Sequence, residues 1–253
     1  MHRLWALGVF IFLYLPLVVV IVYSFNDSRL NAEWAGFTLG WYRVLFRDDE
    51  MLKAAGNSLA VAFASSLIAT VLGTLAGIAI QRYRLKFLNF LVMAPVAMPE
   101  VLAGVSLLLF FIQLMDMDLG MLTVVLAHVA FSVGFVAVVV RVSVASLDRS
   151  LFDAARDLGA SPLAVFRHVT LPLVMPGIIA GFLMAFTLSI DDFVITFFTV
   201  GVGFQTLPLR IYSMIKISVT PEVNAVSTLL MILTLVLTLV AMRLAPEAIK
   251  GEA

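Results

Sequence analysis

Apolar residues occupy this chain in six long blocks, separated by shorter segments that hold nearly all the charge. The blocks are residues 4–24, Asn57–Ile80, Phe87–Ile112, Met121–Val140, Met175 to about Val202, and Val226–Met242. At a helical rise of about 1.5 Å per residue, each is long enough to cross a hydrocarbon layer of about 30 Å. The pattern predicts an all-α integral membrane protein with about six spans. The third and fifth blocks are long enough to tilt or break. The first block, LWALGVFIFLYLPLVVVIVYS, follows the lone basic Arg3. It outruns the apolar stretch of about 7–15 residues in a cleavable signal and ends without a small-x-small site, so it predicts a retained first helix.

Composition points the same way. Of 253 residues, 62% are hydrophobic and 13% charged, and mean hydropathy is +1.10, whereas a soluble domain has about 45–50% apolar and about 25% charged residues. A formal net charge of zero leaves no basic field to attract nucleic acid. The absence of cysteine removes disulfides, thiolate metal sites and cysteine nucleophiles. His2, His128 and His168 are scattered, and no serine–histidine constellation suggests hydrolysis. His128 lies within a span and reads as an interhelical hydrogen bonder.

Orientation follows from the basic residues beside the spans. With the N-terminus inside, Arg3, Arg82, Arg84, Lys86, Arg141, Arg149, Arg156, Arg167, Arg243 and Lys250 are internal, ten of the sixteen. Both termini are therefore expected in the cytoplasm of a bacterial inner-membrane protein. The first outer loop, 25–56, carries Arg29, Arg43, Arg47 and Lys53 beside five acids. Its Trp34, Trp41 and Tyr42, with Thr38 as a cap, predict a short interfacial helix. In the second span the small residues around Gly73-x-x-x-Gly77 permit close helix packing.

Between the fourth and fifth spans, 148–172 is punctuated as two short helices. Leu151, Ala154, Ala155 and Leu158 form an apolar stripe, and Gly159 suits the left-handed position that ends a helix. Ser161 caps a second helix that starts at Pro162, and Pro172 is expected to stop it where the fifth span begins. Asp153-Ala154-Ala155, Gly159, Val169, Leu171 and Pro172 match the E-A-A, G, I-x-L-P signature of the permease subunits of ATP-binding-cassette importers, with Asp153 for Glu and Val169 for Ile. The resemblance implies the type I importer permease fold over one transmembrane domain, 1–253, with its core in 57–243. It also implies a coupling helix around Leu163, Ala164 and Phe166, docked in a partner ATPase. Exposed Leu163 and Phe166 would form the knob. The chain has no G-x-x-x-x-G-K-[ST] loop, so ATP and magnesium belong to the partner, and no cofactor or metal is expected here.

Ionisable side chains inside spans cost roughly 2.5–3.5 kcal/mol each and need an explanation. Glu100 follows Pro95 and Pro99 in the third span, and Asp191-Asp192 interrupt the fifth. No Lys or Arg lies in a span to pair with them. They are either protonated acids bonded to neighbouring helices or acids lining a polar path for a cation, where Phe193, Phe197, Phe198 and Tyr212 offer aromatic faces. The runs Trp41-Tyr42, Gly56-Asn57-Ser58-Leu59, Met98 to Leu107 and Ser189 to Thr196 resemble the second permease subunit of spermidine/putrescine importers. That resemblance implies a small cationic substrate, a second related permease, two ATPase copies and a periplasmic polyamine-binding protein. Permeases for other solutes share the fold. A self-sufficient secondary transporter or channel would not need the coupling signature, and a scaffold without a conduit would leave the three acids without purpose.

Overall fold

The computed structural model describes residues 2–28, 33–218 and 220–244. Arg29 and Lys250 of the charge count lie outside these, as do the side chains of Arg3 and Arg149. Twelve α-helices follow in order among the described residues: α1 His2–Tyr23, α2 Gly40–Leu45, α3 Asp49–Tyr83, α4 Lys86–Ala97, α5 Glu100–Leu109, α6 Met121–Ala145, α7 Arg149–Asp157, α8 Pro162–Val165, α9 Leu171–Ile190, α10 Val194–Thr199, α11 Leu207–Ile217 and α12 Pro221–Leu244. Phe110–Leu114 and Phe166–Thr170 are single π-helical turns.

Five stretches are long and apolar enough to cross a membrane: Trp5–Tyr23, Asp49–Tyr83, Met121–Ala145, Pro162–Ile190 and Pro221–Leu244. The pair Lys86–Ala97 and Glu100–Leu114 makes a sixth span bent by 108°. The expected count of about six spans therefore holds, and so does the break in the third. It falls at Met98, whose backbone is extended (ψ 139°), because the ring of Pro99 disfavours the α region for the residue before it.

The described residues form two compact units, one from the chain up to Asn57 with Gln205–Thr234, the other from Ser58–Phe204 with the chain from Leu235. In the first, α1 presents apolar side chains outward along its length, as a lipid-solvated helix must. Its end is knotted by Asn26, fully buried, whose amide nitrogen donates to the Glu33 carbonyl (2.8 Å) while its oxygen accepts from the Ala35 N–H (2.9 Å). Trp41 Nε1 donates to the Asn26 carbonyl (2.8 Å), and Tyr42 and Ser24 share a hydroxyl bond (2.8 Å). The expected short helix is α2. Thr38 does not cap it directly; its hydroxyl accepts from the Gly40 N–H (3.0 Å) in a turn before the helix, and Leu39 occupies the cap. Leu45, Met51 and Val226 form the core of this unit. At its edge Arg210 pairs with Glu50 (2.6 Å) and reaches Asp48 (3.9 Å).

In the second unit α6 is the central post, packed against α4, α9 and α10. Small residues set these approaches. A Cβ on Gly73 would lie 2.7 Å from Val136 Cβ and 2.9 Å from the Val133 carbonyl, and one on Gly77 would lie 2.7 Å from the Ala137 carbonyl. The Gly73-x-x-x-Gly77 spacing thus serves close backbone packing of α3 on α6. A cluster of Ala69, Ile78, Val136, Val140, Val174 and Ala185 joins α3, α6 and α9.

Candidate functional site

The 148–172 segment folds as a helical hairpin. Asp148 caps α7 by accepting the Ser150 N–H (2.9 Å), a bond that holds its carboxyl below the usual range. At the other end Gly159 has φ +80°. Its N–H donates to the Arg156 carbonyl (2.8 Å) and that of Ala160 to the Ala155 carbonyl (3.1 Å), the pair of bonds of a Schellman cap. Ser161 caps α8 by accepting the Ala164 N–H (3.3 Å), with Pro162 in the first turn. The punctuation expected at Gly159, Ser161 and Pro162 is the punctuation observed.

Two expectations for this segment require correction. Pro172 does not end α8: the chain stays helical from Pro162 to Ile190, passing from α8 into α9 through the π turn Phe166–Thr170. The Leu171 N–H bonds to the Phe166 carbonyl, five residues back. That wider register moves the carbonyls near residue 168 out of the α ladder, where the ring of Pro172 would otherwise strike them. Phe166 is not an exposed knob either. It is half-buried and packs against the α3–α6–α9 cluster, beside fully buried Val165. The apolar side chains turned outward here are Leu163, 73% exposed, and Leu158, 88% exposed. Ala154 is exposed, Ala155, Ala164, Val169 and Leu171 are half-buried, and Pro172 is exposed. Asp153 and Arg156 line a cavity of about 530 Å³ with Arg82 and Arg84.

The three intramembrane acids lie at helix breaks. Glu100 opens α5 after the 108° bend and is exposed. Asp191-Asp192 separate α9 from α10, and α10 packs along α5, where a Cβ on Gly104 would meet the Phe198 ring at 2.7 Å. Glu100 and Asp191 thus stand at breaks that adjoin packed elements, α5 and α10.

The two aspartates are not equivalent. Asp191 is exposed, whereas the Asp192 side chain is 9% exposed. Asp192 Oδ2 accepts the Thr196 N–H and hydroxyl, both at 2.8 Å, and Oδ1 accepts the Ile195 N–H (3.3 Å). It so satisfies the orphan donors at the start of α10. His128 Nε2 lies 3.2 Å from Asp192 Oδ2 and 2.9 Å from Thr196 Oγ1, and Nδ1 lies 2.6 Å from Ser189 Oγ. His128 is the interhelical hydrogen bonder expected, and it is also the partner that Asp192 lacked in the sequence. Two titratable groups inside apolar blocks were the available signal, but 64 positions separate them.

Phe193 is half-buried at the break and stacks obliquely on Phe197 (centroids 5.6 Å). Tyr212 belongs to the other compact unit, on α11, and its ring carries the Lys216 ammonium at 4.6 Å.

A family model described as binding-protein-dependent transport system inner membrane component matches residues 51–246. The chain is 46% identical over 231 residues to the putrescine transport system permease protein PotI of Escherichia coli strain K12, covering 88% of this chain and 82% of that protein. It is 39% identical over 248 residues to the spermidine/putrescine transport system permease protein PotC of the same strain, covering 97% and 94%. Among solved structures, a bacterial ABC transporter involved in import of the acidic polysaccharide alginate superposes with a TM-score of 0.71 at 15% identity, over 97% of this chain and 94% of that one. The inward-facing MetNI methionine ABC transporter gives 0.66 at 20% identity, over 84% and 99%. Those two share the fold, that of type I importer permeases. A bent span and a second helix break bearing acids, a capped helical hairpin running on into a span, and relatives matching nearly the whole length agree: the chain belongs to the binding-protein-dependent transport system inner membrane components and is a permease subunit of an ABC importer.

Proposed function

We propose that this subunit forms half of the translocation path of an ATP-driven polyamine importer, with putrescine or spermidine as substrate. The observation that carries the reading is a pair of exposed carboxylates at helix breaks, Glu100 opening α5 after the bent span and Asp191 between α9 and α10, with α10 packed along α5. Alkylammonium groups pair with carboxylates and lie favourably on aromatic faces such as the half-exposed Phe197. The names of the relatives PotI and PotC support the same substrate class.

In this reading both termini are cytoplasmic, and the 148–172 hairpin faces the cytoplasm. Leu158 and Leu163 enter a groove on one of two ATPase copies, which bind ATP and magnesium. A second, related permease completes the path, and a periplasmic polyamine-binding protein delivers substrate. Phe166 roots the hairpin in the α3–α6–α9 cluster, so motion of the docked knob reaches the bundle.

The test is reconstitution of the complete complex in liposomes, with measurement of which binding protein and solute stimulate ATP hydrolysis. Stimulation by putrescine or spermidine with the cognate binding protein is expected. Stimulation by sulfate or a sugar alone would refute the polyamine assignment and leave the importer standing.

A further inference from the structure

Five polar side chains of the second compact unit, all 9% exposed or less, converge on one point. Ser65 on α3, His128 on α6, Ser189 on α9, Asp192 at the break and Thr196 on α10 form a continuous hydrogen-bonded chain: Ser65 Oγ to Ser189 Oγ is 3.1 Å, Ser189 Oγ to His128 Nδ1 is 2.6 Å, and His128 Nε2 reaches Thr196 Oγ1 and Asp192 Oδ2 at 2.9 and 3.2 Å. Ser65 and Thr196 are fully buried, and His128 and Ser189 are 2% and 6% exposed. The Asp192 carboxylate accepts only, so His128 donates its Nε2–H toward it, and at the other end of the chain the Ser65 hydroxyl donates to the Ala62 carbonyl (3.3 Å).

We infer that His128 and Asp192 are a positioning pair: they hold the broken end of the fifth span so that the neighbouring Asp191 carboxylate stays in the substrate path, and Asp192 itself does not contact substrate. This rests on the polyamine-path reading above. Geometry supports the division of labour. Asp191 is flanked by Ile190, 2% exposed, and by Asp192, whose two oxygens are engaged by four donors. Three residues beyond Asp192, Ile195 is 1% exposed and packs with Phe111 and Ala127. Asp191 is thus fastened from both sides, yet is itself exposed. A helix break without such anchorage would let the acid sample many positions, and substrate binding would then have to order it. Of the three acids at the helix breaks, Asp191 and Glu100 are left to meet cations.

The test uses the complete complex in proteoliposomes and reads KM and maximal rate of putrescine uptake separately. His128→Ala is expected to raise KM about tenfold, the order lost with one or two hydrogen bonds to a charged group. His128→Gln, which can still donate toward Asp192, is expected to return KM most of the way. Thr196→Val spares both titratable groups and covers the case in which His128→Ala fails to assemble; it too should raise KM. His128→Ala combined with Asp192→Asn should be no worse than the poorer single variant, since both break one network. A merely structural role would lower assembled complex and maximal rate at constant KM, and that result overturns the proposal. So does a raised KM in Asp192→Asn with wild-type KM in His128→Ala, which would make Asp192 a direct substrate ligand. Failure of the underlying reading looks different: Asp191→Asn and Glu100→Gln would both keep wild-type KM, or the wild-type complex would transport another solute.

Discussion

Replacing Gly159 tests whether the hairpin's cap, rather than its composition, makes it work. Gly159 sits at φ +80° with nothing within 4 Å of a Cβ built on it, so the cost of a side chain there is backbone strain and not collision. For an ordinary L residue in the left-handed region that cost is about 1–2 kcal/mol, and Asn is among the few residues that visit it routinely. The nine residues of α7 have little else to hold their end, since Ala154, Asp157 and Leu158 are exposed, and a helix this short is marginal by itself. A penalty of 1–2 kcal/mol therefore lowers the population of the correctly turned hairpin by a factor of roughly 5–30. Uptake per assembled complex should rank Gly159→Asn near wild type, then Gly159→Ala, then Gly159→Val lowest. Basal ATP hydrolysis and the amount of complex should stay level, because Gly159 packs against nothing. The assay is substrate-stimulated ATPase and uptake in proteoliposomes, normalised to assembled complex. Wild-type uptake in Gly159→Val, or equal loss in Gly159→Asn and Gly159→Val, would refute the reasoning.

Two further outcomes follow from the packing. Leu158→Ala with Leu163→Ala should weaken ATPase association and leave the melting temperature unchanged, whereas Phe166→Ala should lower it, costing about 2 kcal/mol, half the 3–5 kcal/mol of a fully buried Phe→Ala; equal melting behaviour of the two variants would contradict the inward placement of Phe166. Gly201→Ala should destabilise the protein by about 1–3 kcal/mol, because its new Cβ would overlap the Leu119 carbonyl, backbone against backbone; an unchanged melting temperature in detergent would count against that contact.

The spans were legible because a lipid solvent demands uninterrupted apolar runs, which no tertiary context can disguise. The hairpin was legible because Gly159, Ser161 and Pro162 act locally through backbone preference and capping. What was illegible depends on contacts between distant positions. The face that Phe166 presents is decided by the α3–α6–α9 cluster, and the passage through Pro172 by a π turn that no residue at 166–170 announces. Asp191 and Asp192 read as twins, since nothing in a dipeptide says which carboxylate meets His128. The break at Pro99 lay between these cases: a local rule marked its position, while its 108° angle needed the structure.

The unbroken helix through the π turn has a mechanical consequence. From Pro162 to Ile190 it spans 29 residues, about 43 Å at 1.5 Å per residue. A rigid rod of that length turns angle into displacement. If Leu163 is tilted by about 10° around a fulcrum near the far end, it sweeps about 7 Å, and in the coupling proposed above the same leverage run backward would convert a modest groove closure on the ATPase into a small, forceful rotation at Asp191. Because the π turn keeps the helix continuous where a proline would have cut it, a stroke delivered at Leu163 would travel to Ile190 along one helix.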